Sequence, residues 1–420
     1  MSGTEHKGSK LRPMMMFIIL AVAYFFVYFH RTTGGAVSDT LQDFYGVGTA
    51  SVALLASAYL YAYTLMQIPS GILTDRLGPR KAATMFILLI AAGSVFSSFS
   101  ATSGDFNLMI AGKFLIGIGA AVVYIPALKI LAVWFEKDRF ASMNGALLLV
   151  GNVGSIAAAT PMVIMMDSLG IANTYLVLSA VTVFIAVLCW LIVRDRPESV
   201  IVEKDTKPQI GVKDSLKKVF TSGRRFWPLA VWLFIMYGTL MLWQASQAGS
   251  FYRSVYGFSA TDAGLMVTMV GVGMAAACPL AGILSDRVFR SRRTVLIIGS
   301  FLYTAAWGII ALVTNLEACD SMVVQGAINI FLGFAAGFSV VAFAQIKELF
   351  PVEMAGTSVA ALNLFPFAGG AILITISGFL VSSKSLEEYS ILWAVVFLMM
   401  VVATVLSFFT EDRNTVKDRE

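Results

Sequence analysis

The stretch GILTDRLGPRK stands at positions 71–81, between two long apolar runs at 48–70 and 82–102. A charged residue at the centre of a membrane-spanning helix costs about 2.5–3.5 kcal/mol, so four charges are not expected to lie in hydrocarbon. The pattern therefore predicts a short charged turn at a membrane face, with a spanning helix on either side.

Five residues of this stretch are candidate loop or gating residues. Gly71 is expected to let two helices approach closely, because a glycine adds no side chain at the contact. Asp75 is expected to hold Arg76 or Arg80 by a charge-assisted hydrogen bond. Gly78 supplies the turn itself.

A second copy, GILSDR, stands at 282–287, which is 211 positions further along a chain of 420 residues. Its candidate loop residues are Gly282, Asp286 and Arg287. Two copies half a chain length apart, each between apolar runs, indicate an internal duplication. Parallel repeats of this kind are one known architecture of membrane transporters.

The composition places the chain in lipid. It is 58% hydrophobic and 13% charged, whereas soluble domains are nearer half apolar and a quarter charged. The net charge of +5 does not indicate a nucleic-acid partner, because the basic residues lie between apolar segments as they do in the cytoplasmic loops of membrane proteins.

Twelve apolar runs are long enough to span a bilayer, at about 20 residues each. They cover 14–36, 48–70, 82–102, 106–135, 140–166, 171–193, 226–249, 259–281, 294–315, 321–346, 355–381 and 389–410. The sequence thus predicts an all-α membrane protein with a six-helix bundle at 1–193, a cytoplasmic linker at 194–225 and a second six-helix bundle at 226–420.

The distribution of basic residues predicts the orientation. With the N-terminus inside, only Arg253 and Lys384 of the 30 Lys and Arg fall in outside loops, and three more fall within spans. Both termini are therefore expected in the cytoplasm. We expect a monomer in a bacterial inner membrane, with an organelle membrane as the alternative.

The paired loop between the second and third spans and between the eighth and ninth resembles the major facilitator superfamily, and so do the twelve spans with a basic central linker. The second copy departs from the pattern after Arg287, where Val288 and Phe289 replace the glycine turn. The resemblance implies the major facilitator fold and transport by alternating access.

Two helices resemble the organic-anion branch of that superfamily, the anion:cation symporters and organophosphate antiporters. YFHRTT at 28–33 is similar to that branch's aromatic-x-x-Arg signature, and GKFLIG at 112–117 is similar to its cavity-lining fourth helix. The branch often places an acid one or two turns later as a proton-coupling group. None stands at 117–121, so the resemblance does not extend to that coupling.

Arg31 and Lys113 are the leading substrate-binding candidates. At about 1.5 Å per residue, both reach a similar depth in the outer half of the membrane. Arg can bind a carboxylate or phosphate with two hydrogen bonds and Lys can add a point charge, so the pair predicts an anion site. The alternative is that each cation bonds to a backbone carbonyl or extends to the interface.

His30 is the candidate for coupling to a proton, because its titration range lies near neutral pH; packing is the alternative. Lys129, near the inner end of its span, either extends to the interface or forms an inner gate.

Other polar and aromatic residues within the spans are further substrate-binding candidates. They are Tyr28, Tyr59, Tyr63, Gln244, Gln247, Asn329 and Asn363. Gln244 and Gln247 are three positions apart and share one face of a helix. Tyr59, Tyr63 and Gln67 form one stripe, which either faces the cavity or packs.

The sequence shows no nucleophile–base pair, no cofactor motif and no metal-ligand spacing, and its three cysteines are scattered. It does not predict an enzyme. It predicts a secondary transporter of a small organic anion, coupled to an ion or a proton. A carrier of neutral or zwitterionic solutes, such as amino acids or short peptides, and a non-transporting sensor of the same fold are the alternatives.

Overall fold

A computed structural model shows how these runs are arranged. It describes residues 11–135, 137–158, 160–196, 212–315, 321–351 and 354–412. Residues 197–211 of the predicted linker and Cys319 lie outside these ranges. Below, residues up to 196 are the first half of the chain, and those from 226 onward are the second half.

The described residues of the first half form eight helices. They are α1 (Leu11–Ala36), α2 (Ser38–Tyr45), α3 (Thr49–Leu65), α4 (Gln67–Leu77), α5 (Pro79–Ser103), α6 (Phe106–Trp134), α7 (Lys137–Ala157) and α8 (Thr160–Ile192). A short amphipathic helix follows in the linker, α9 (Val212–Phe220).

The second half contains eight further helices in its described residues. They are α10 (Trp227–Leu242), α11 (Ala248–Tyr256), α12 (Ala260–Ile283), α13 (Arg292–Asn315), α14 (Met322–Gly337), α15 (Val341–Leu349), α16 (Ala355–Leu380) and α17 (Leu386–Ser407). A π-helical turn, Trp243–Gln247, joins α10 to α11, and a second, Leu284–Val288, follows α12.

Ten helical segments among the described residues are long and apolar enough to cross a membrane, and α3 with α4 passes the same test as one span bent by 53°. The protein is therefore an integral, multi-pass membrane protein. Within α8, Gly170 has a left-handed backbone with φ of 77°, which kinks the helix there.

Most helix packing stays within a half. In the first half, α5 packs on α6 and α8, and α1 packs on α7. In the second half, α12 packs on α14, and α10 on α16. The halves meet where α3 packs on α16 and where α1 packs on the π-turn Trp243–Gln247. The candidate site lies along this junction.

Glycines allow several of these contacts. A Cβ atom at Gly117 would collide with the backbone of Tyr59, and one at Gly333 would collide with the backbone of Val270, so helices pack closely at these two glycines. The close approach predicted at Gly71 is wrong: a Cβ there meets no atom within 4 Å, and Gly282 is equally open.

Candidate substrate-binding site

Arg31 is at the centre of the site. It lies near the end of α1, three residues after Tyr28, so the two side chains share a helix face. The guanidinium carbon stands 3.7 Å from the centre of the Tyr28 ring. The side chain is half-buried, and its Nε is buried without a hydrogen-bond partner among the described residues. A membrane-embedded cation that makes only an aromatic contact has donors available for a ligand.

Tyrosines from three helices surround this guanidinium. Tyr59 of α3 and Tyr237 of α10 lie within electrostatic reach of it, as does Tyr63 one turn after Tyr59. The Tyr59 hydroxyl donates to the Val27 carbonyl at 2.9 Å, which ties α3 to α1. Since Tyr237 belongs to the second half, both halves contribute to the surroundings of Arg31.

Lys113 is held differently from Arg31. Its Nζ donates to the His30 carbonyl at 2.7 Å and to the Thr33 hydroxyl at 2.8 Å, and the residue is only 2% exposed. It also stands 5.9 Å from the centre of the Tyr59 ring. In this conformation its ammonium stabilises the last turns of α1 and is shielded from solvent.

His30 is fully buried and lies among aromatic rings. Its ring centre is 5.7 Å from that of Phe29 and 6.4 Å from that of Phe26. Neither ring nitrogen has a hydrogen-bond partner among the described residues. The coupling role of His30 stays a prediction. In this conformation its imidazole is fully buried.

Gln244 and Gln247 do not share one environment, because the π-turn Trp243–Gln247 interrupts the α-helical register that placed them on one face. Gln247 is buried and its Nε2 donates to the Ser377 hydroxyl at 2.8 Å. Gln244 is half-buried and makes no hydrogen bond within the described ranges. Gln244 is therefore the one of the two with a free amide.

Asn329 is fully buried in a hydrogen-bond network of the second half. Its Oδ1 accepts from the Trp243 indole at 2.9 Å, and its Nδ2 donates to the Tyr252 hydroxyl at 2.6 Å and to the Gln325 carbonyl at 2.8 Å. Its hydrogen-bonding groups are thus engaged between α14 and the α10–α11 junction.

Asn363 connects the two halves. Its Nδ2 donates to Gln67 Oε1 at 2.8 Å, and one turn away the Phe367 ring lies 4.3 Å from that of Tyr63. Because Tyr63 is also near Arg31, this pair of amides continues the same junction towards the first charged loop. Of the stripe Tyr59, Tyr63 and Gln67, the last two therefore face the second half, whereas the Tyr59 hydroxyl bonds to α1.

The first charged loop is built around Gly78. Its φ of 81° favours glycine, and a Cβ there would stand 2.7 Å from Asp195 Oδ2. Asp195 accepts from the Arg80 backbone N–H at 2.6 Å, and Arg80 Nε donates to the Trp190 carbonyl at 2.8 Å. Gly78 thus brings the start of α5 against the end of α8.

The expectation that Asp75 holds Arg76 or Arg80 is wrong. Asp75 forms an ion pair with Lys129 of α6, because the turn at Gly78 directs Arg80 towards α8. Arg76 is exposed. In this conformation Lys129 is therefore held by an ion pair within the first half.

The second loop copy has the same kind of ion pair with a different partner. Asp286 pairs with Arg292 at the start of α13, and Arg292 also contacts Glu348 of α15 at 2.9 Å. Arg287 is exposed. The π-turn Leu284–Val288 replaces the glycine turn of the first copy.

The sequence reasoning missed Tyr237, and it missed a cluster at the opposite end of the junction. There Asp39 of α2 pairs with Arg253 of α11 and with Lys384, each at 2.7 Å. A signal was present, because Arg253 and Lys384 are the only basic residues that fall in the predicted outside loops.

The chain matches the model of the Major Facilitator Superfamily over residues 20–365 and 248–420. It is 20% identical to the probable sulfoacetate transporter of Cupriavidus necator, over 66% of this chain and 65% of that relative. It is 24% identical to the hexuronate transporter of Escherichia coli K12, over 69% of this chain and 70% of that relative.

Among solved structures, a bacterial homolog of the human lysosomal transporter Spinster, in an inward-facing and occupied conformation, superposes with a TM-score of 0.74. The match covers 96% of this chain and 97% of that chain at 16% identity. This likeness shows the fold alone.

Proposed function

Because the chain belongs to the Major Facilitator Superfamily, we propose that it is a secondary active transporter that carries a small organic anion across the membrane by alternating access. That it is a membrane transporter and not an enzyme follows from the family and its relatives. The finer statement rests on Arg31, a half-buried cation with no acidic partner among the described residues.

An unpaired charge within the membrane raises the free energy of the folded protein. An intramembrane cation therefore indicates a functional site. Arg31 stacks on Tyr28 and keeps its buried Nε free, which leaves the fork of the guanidinium available for a carboxylate. The sulfoacetate and hexuronate relatives are transporters of organic anions, which supports this choice over a neutral solute.

The architecture that we propose has twelve spans in two bundles. Counting α3 with α4 as one bent span, and dividing α8 at Gly170 so that its first part completes the span begun by α7, gives six spans in the first half. Joining α10 to α11 and α14 to α15 gives six in the second half, and the linker connects the halves. The packing of most helices within their own half supports this division. Alternating access then consists of the two bundles rocking about the junction at Arg31. We also propose a monomer in a bacterial inner membrane, with both termini in the cytoplasm.

Within this proposal Arg31 binds the anion, and Tyr28, Tyr59, Tyr63 and Tyr237 shape its surroundings. Lys113 positions the end of α1. Gln244 is the second-half amide that is free to contact the substrate. His30 remains our candidate for proton coupling, which requires a conformation in which its imidazole meets the cavity.

The test is ligand binding and transport by the purified, reconstituted protein. A panel of carboxylates, sulfonates, phosphate esters, amino acids and dipeptides is screened by thermal shift, and the anions that bind are used in proteoliposome uptake. Arg31→Gln is expected to lose about 2–5 kcal/mol of anion binding, which is roughly 30-fold or more. Arg224→Gln removes an exposed arginine as the matched control.

Anion binding that stays within twofold of wild type in Arg31→Gln would contradict the proposal. Binding of neutral solutes alone would favour the neutral-solute carrier. Binding without uptake, in proteoliposomes with either sign of ion gradient, would favour the sensor.

A further inference from the structure

The number of positive charges that the site offers to a ligand is readable from the structure. Two cations lie within the spans near the outer half of the junction, Arg31 and Lys113. An ammonium has three N–H donors. Two of those on Lys113 bond to the His30 carbonyl and the Thr33 hydroxyl, and the side chain is 2% exposed. Lys113 therefore stabilises the fold and does not offer its charge to a ligand.

The neighbours of Arg31 add no second charge. The groups within its electrostatic reach are the phenols of Tyr24, Tyr28, Tyr59, Tyr63 and Tyr237. The next polar pair along the junction, Gln67 and Asn363, is a pair of neutral amides. Among the described residues, Arg31 is thus the single cation that this site presents.

We propose that the site selects organic anions with a single negative charge, of the monocarboxylate class, over dianions such as dicarboxylates and phosphate esters. This inference rests on the proposed function and specifies it. One carboxylate neutralises the guanidinium and matches its fork. A second charge on the same ligand faces phenols and amides in a region of low dielectric, where an unpaired charge is expensive.

The relatives do not decide this point. Sulfoacetate carries a sulfonate and a carboxylate, whereas a hexuronate carries one carboxylate, and this chain is similar to transporters named for both. The discrimination therefore has to come from the residues of this chain, and Lys113 is the residue that determines the charge count.

The experiment uses ligands matched in their carbon chain and different in charge. Galactitol, galactonate and galactarate form one such series, and propanol, propionate and malonate form a second. Glycerol, glycerate and glycerol phosphate form a third. Dissociation constants for the full-length protein in detergent are measured at pH 7.5. In every series in which any member binds, the monoanion is expected to bind at least tenfold more tightly than the dianion.

A gain-of-charge variant makes the test independent of which series binds best. Tyr237→Lys places a second cation opposite Arg31, and Tyr237→Gln removes the phenol without adding a charge. The ratio of dianion to monoanion affinity is expected to rise at least tenfold in Tyr237→Lys relative to Tyr237→Gln. An unchanged ratio in a folded Tyr237→Lys variant would overturn the inference.

The two proposals fail in different ways. Dianions that bind as tightly as monoanions, with binding lost in Arg31→Gln, would refute the charge selection and leave the anion transporter intact. A wild-type protein that binds no anion of either charge in the wider panel would refute both.

Discussion

The two ends of the junction between the halves use their charges differently. At the end that the proposed orientation places outside, here the outer end, Asp39 of the first half pairs with Arg253 and Lys384 of the second half. At the inner end, Asp75 pairs with Lys129 within the first half, and Asp286 pairs with Arg292 within the second.

The outer charges thus hold the halves together, whereas these inner pairs leave each half free to move as a unit. A further hydrogen bond between the halves lies at the outer end, where the Thr49 hydroxyl of α3 donates to the Gly378 carbonyl of α16 at 3.3 Å. We infer that the structure represents a conformation closed at the outer end.

Two thiols distinguish the ends experimentally. Ser250 lines a small outer cavity of about 20 Å³ and is 4% exposed, so Ser250→Cys reports opening of the outer end. The native Cys278 is half-buried near Tyr237 and reports the inner side. Each thiol is used alone, with the other cysteines replaced, and labelled by a membrane-impermeant maleimide.

The largest expected effect comes from a steric wedge at the outer end. A Cβ at Gly378 would collide with the Ala53 side chain, so Gly378→Val forces α3 and α16 apart. Overpacking costs about 1–3 kcal/mol, which corresponds to a roughly 5–150-fold change in the ratio of open to closed forms. Labelling of Ser250→Cys from outside should accelerate accordingly.

Gly271→Val is the control for this wedge, because a Cβ at Gly271 meets no atom within 4 Å. Equal labelling rates in Gly378→Val and in the reporter protein alone would show that the contact of α3 with α16 does not hold the outer end closed.

The second effect comes from removing the carboxylate that both outer cations share. Asp39→Asn weakens two partly exposed ion pairs, each worth about 0.2–1 kcal/mol, so labelling of Ser250→Cys is expected to rise roughly fivefold. Asp43→Asn, on the same helix and exposed, is the matched control. Salt at about 1 M should remove most of the difference, since it screens exposed charges. A rise of the same size in Asp43→Asn would attribute the effect to net charge.

Much of the fold was predictable because a lipid bilayer requires long apolar helices whose backbone groups bond within the helix. Long apolar runs predict the helices, and the repeated GILTDR and GILSDR strings predict the duplication. The divisions within runs were not predictable to the same degree. The π-turn Trp243–Gln247 and the bend between α3 and α4 depend on tertiary packing. Because these runs are apolar throughout, their hydrophobic periodicity does not change at the turn or at the bend.

The candidate site was predictable in its chemistry and less so in its geometry. Arg31 and Lys113 were expected together because their positions along the helices give them a similar depth in the membrane. A depth does not specify the direction in which a long side chain extends. Lys113 bonds to α1 because the His30 carbonyl and the Thr33 hydroxyl lie within its reach. Asn329 likewise joined a network whose members, Trp243 and Tyr252, are distant in sequence.

The third prediction separates the two outer cations. Lys384→Gln removes one ion pair to Asp39, and Arg253→Gln removes the other together with a bond from Arg253 Nε to the Gly249 carbonyl at 3.3 Å. Each should raise labelling of Ser250→Cys by about two- to threefold, as expected of a single exposed pair. Each effect should shrink when combined with Asp39→Asn, because contacting residues are not additive. Full additivity would mean that Asp39 is not the partner that matters.

The smallest effect is expected at the inner end, from a substitution of the same chemical kind. Asp75→Asn removes an ion pair that lies wholly within the first half, so it changes the energy of both conformations alike. Labelling of Ser250→Cys from outside, and of Cys278 in inside-out vesicles, should stay within twofold of the reporter proteins. Asp286→Asn repeats the test in the second half. If Asp75→Asn accelerated outer labelling as much as Asp39→Asn does, Asp75 would contribute to closure at the outer end, and the contrast between bonds across the halves and bonds within them would be wrong.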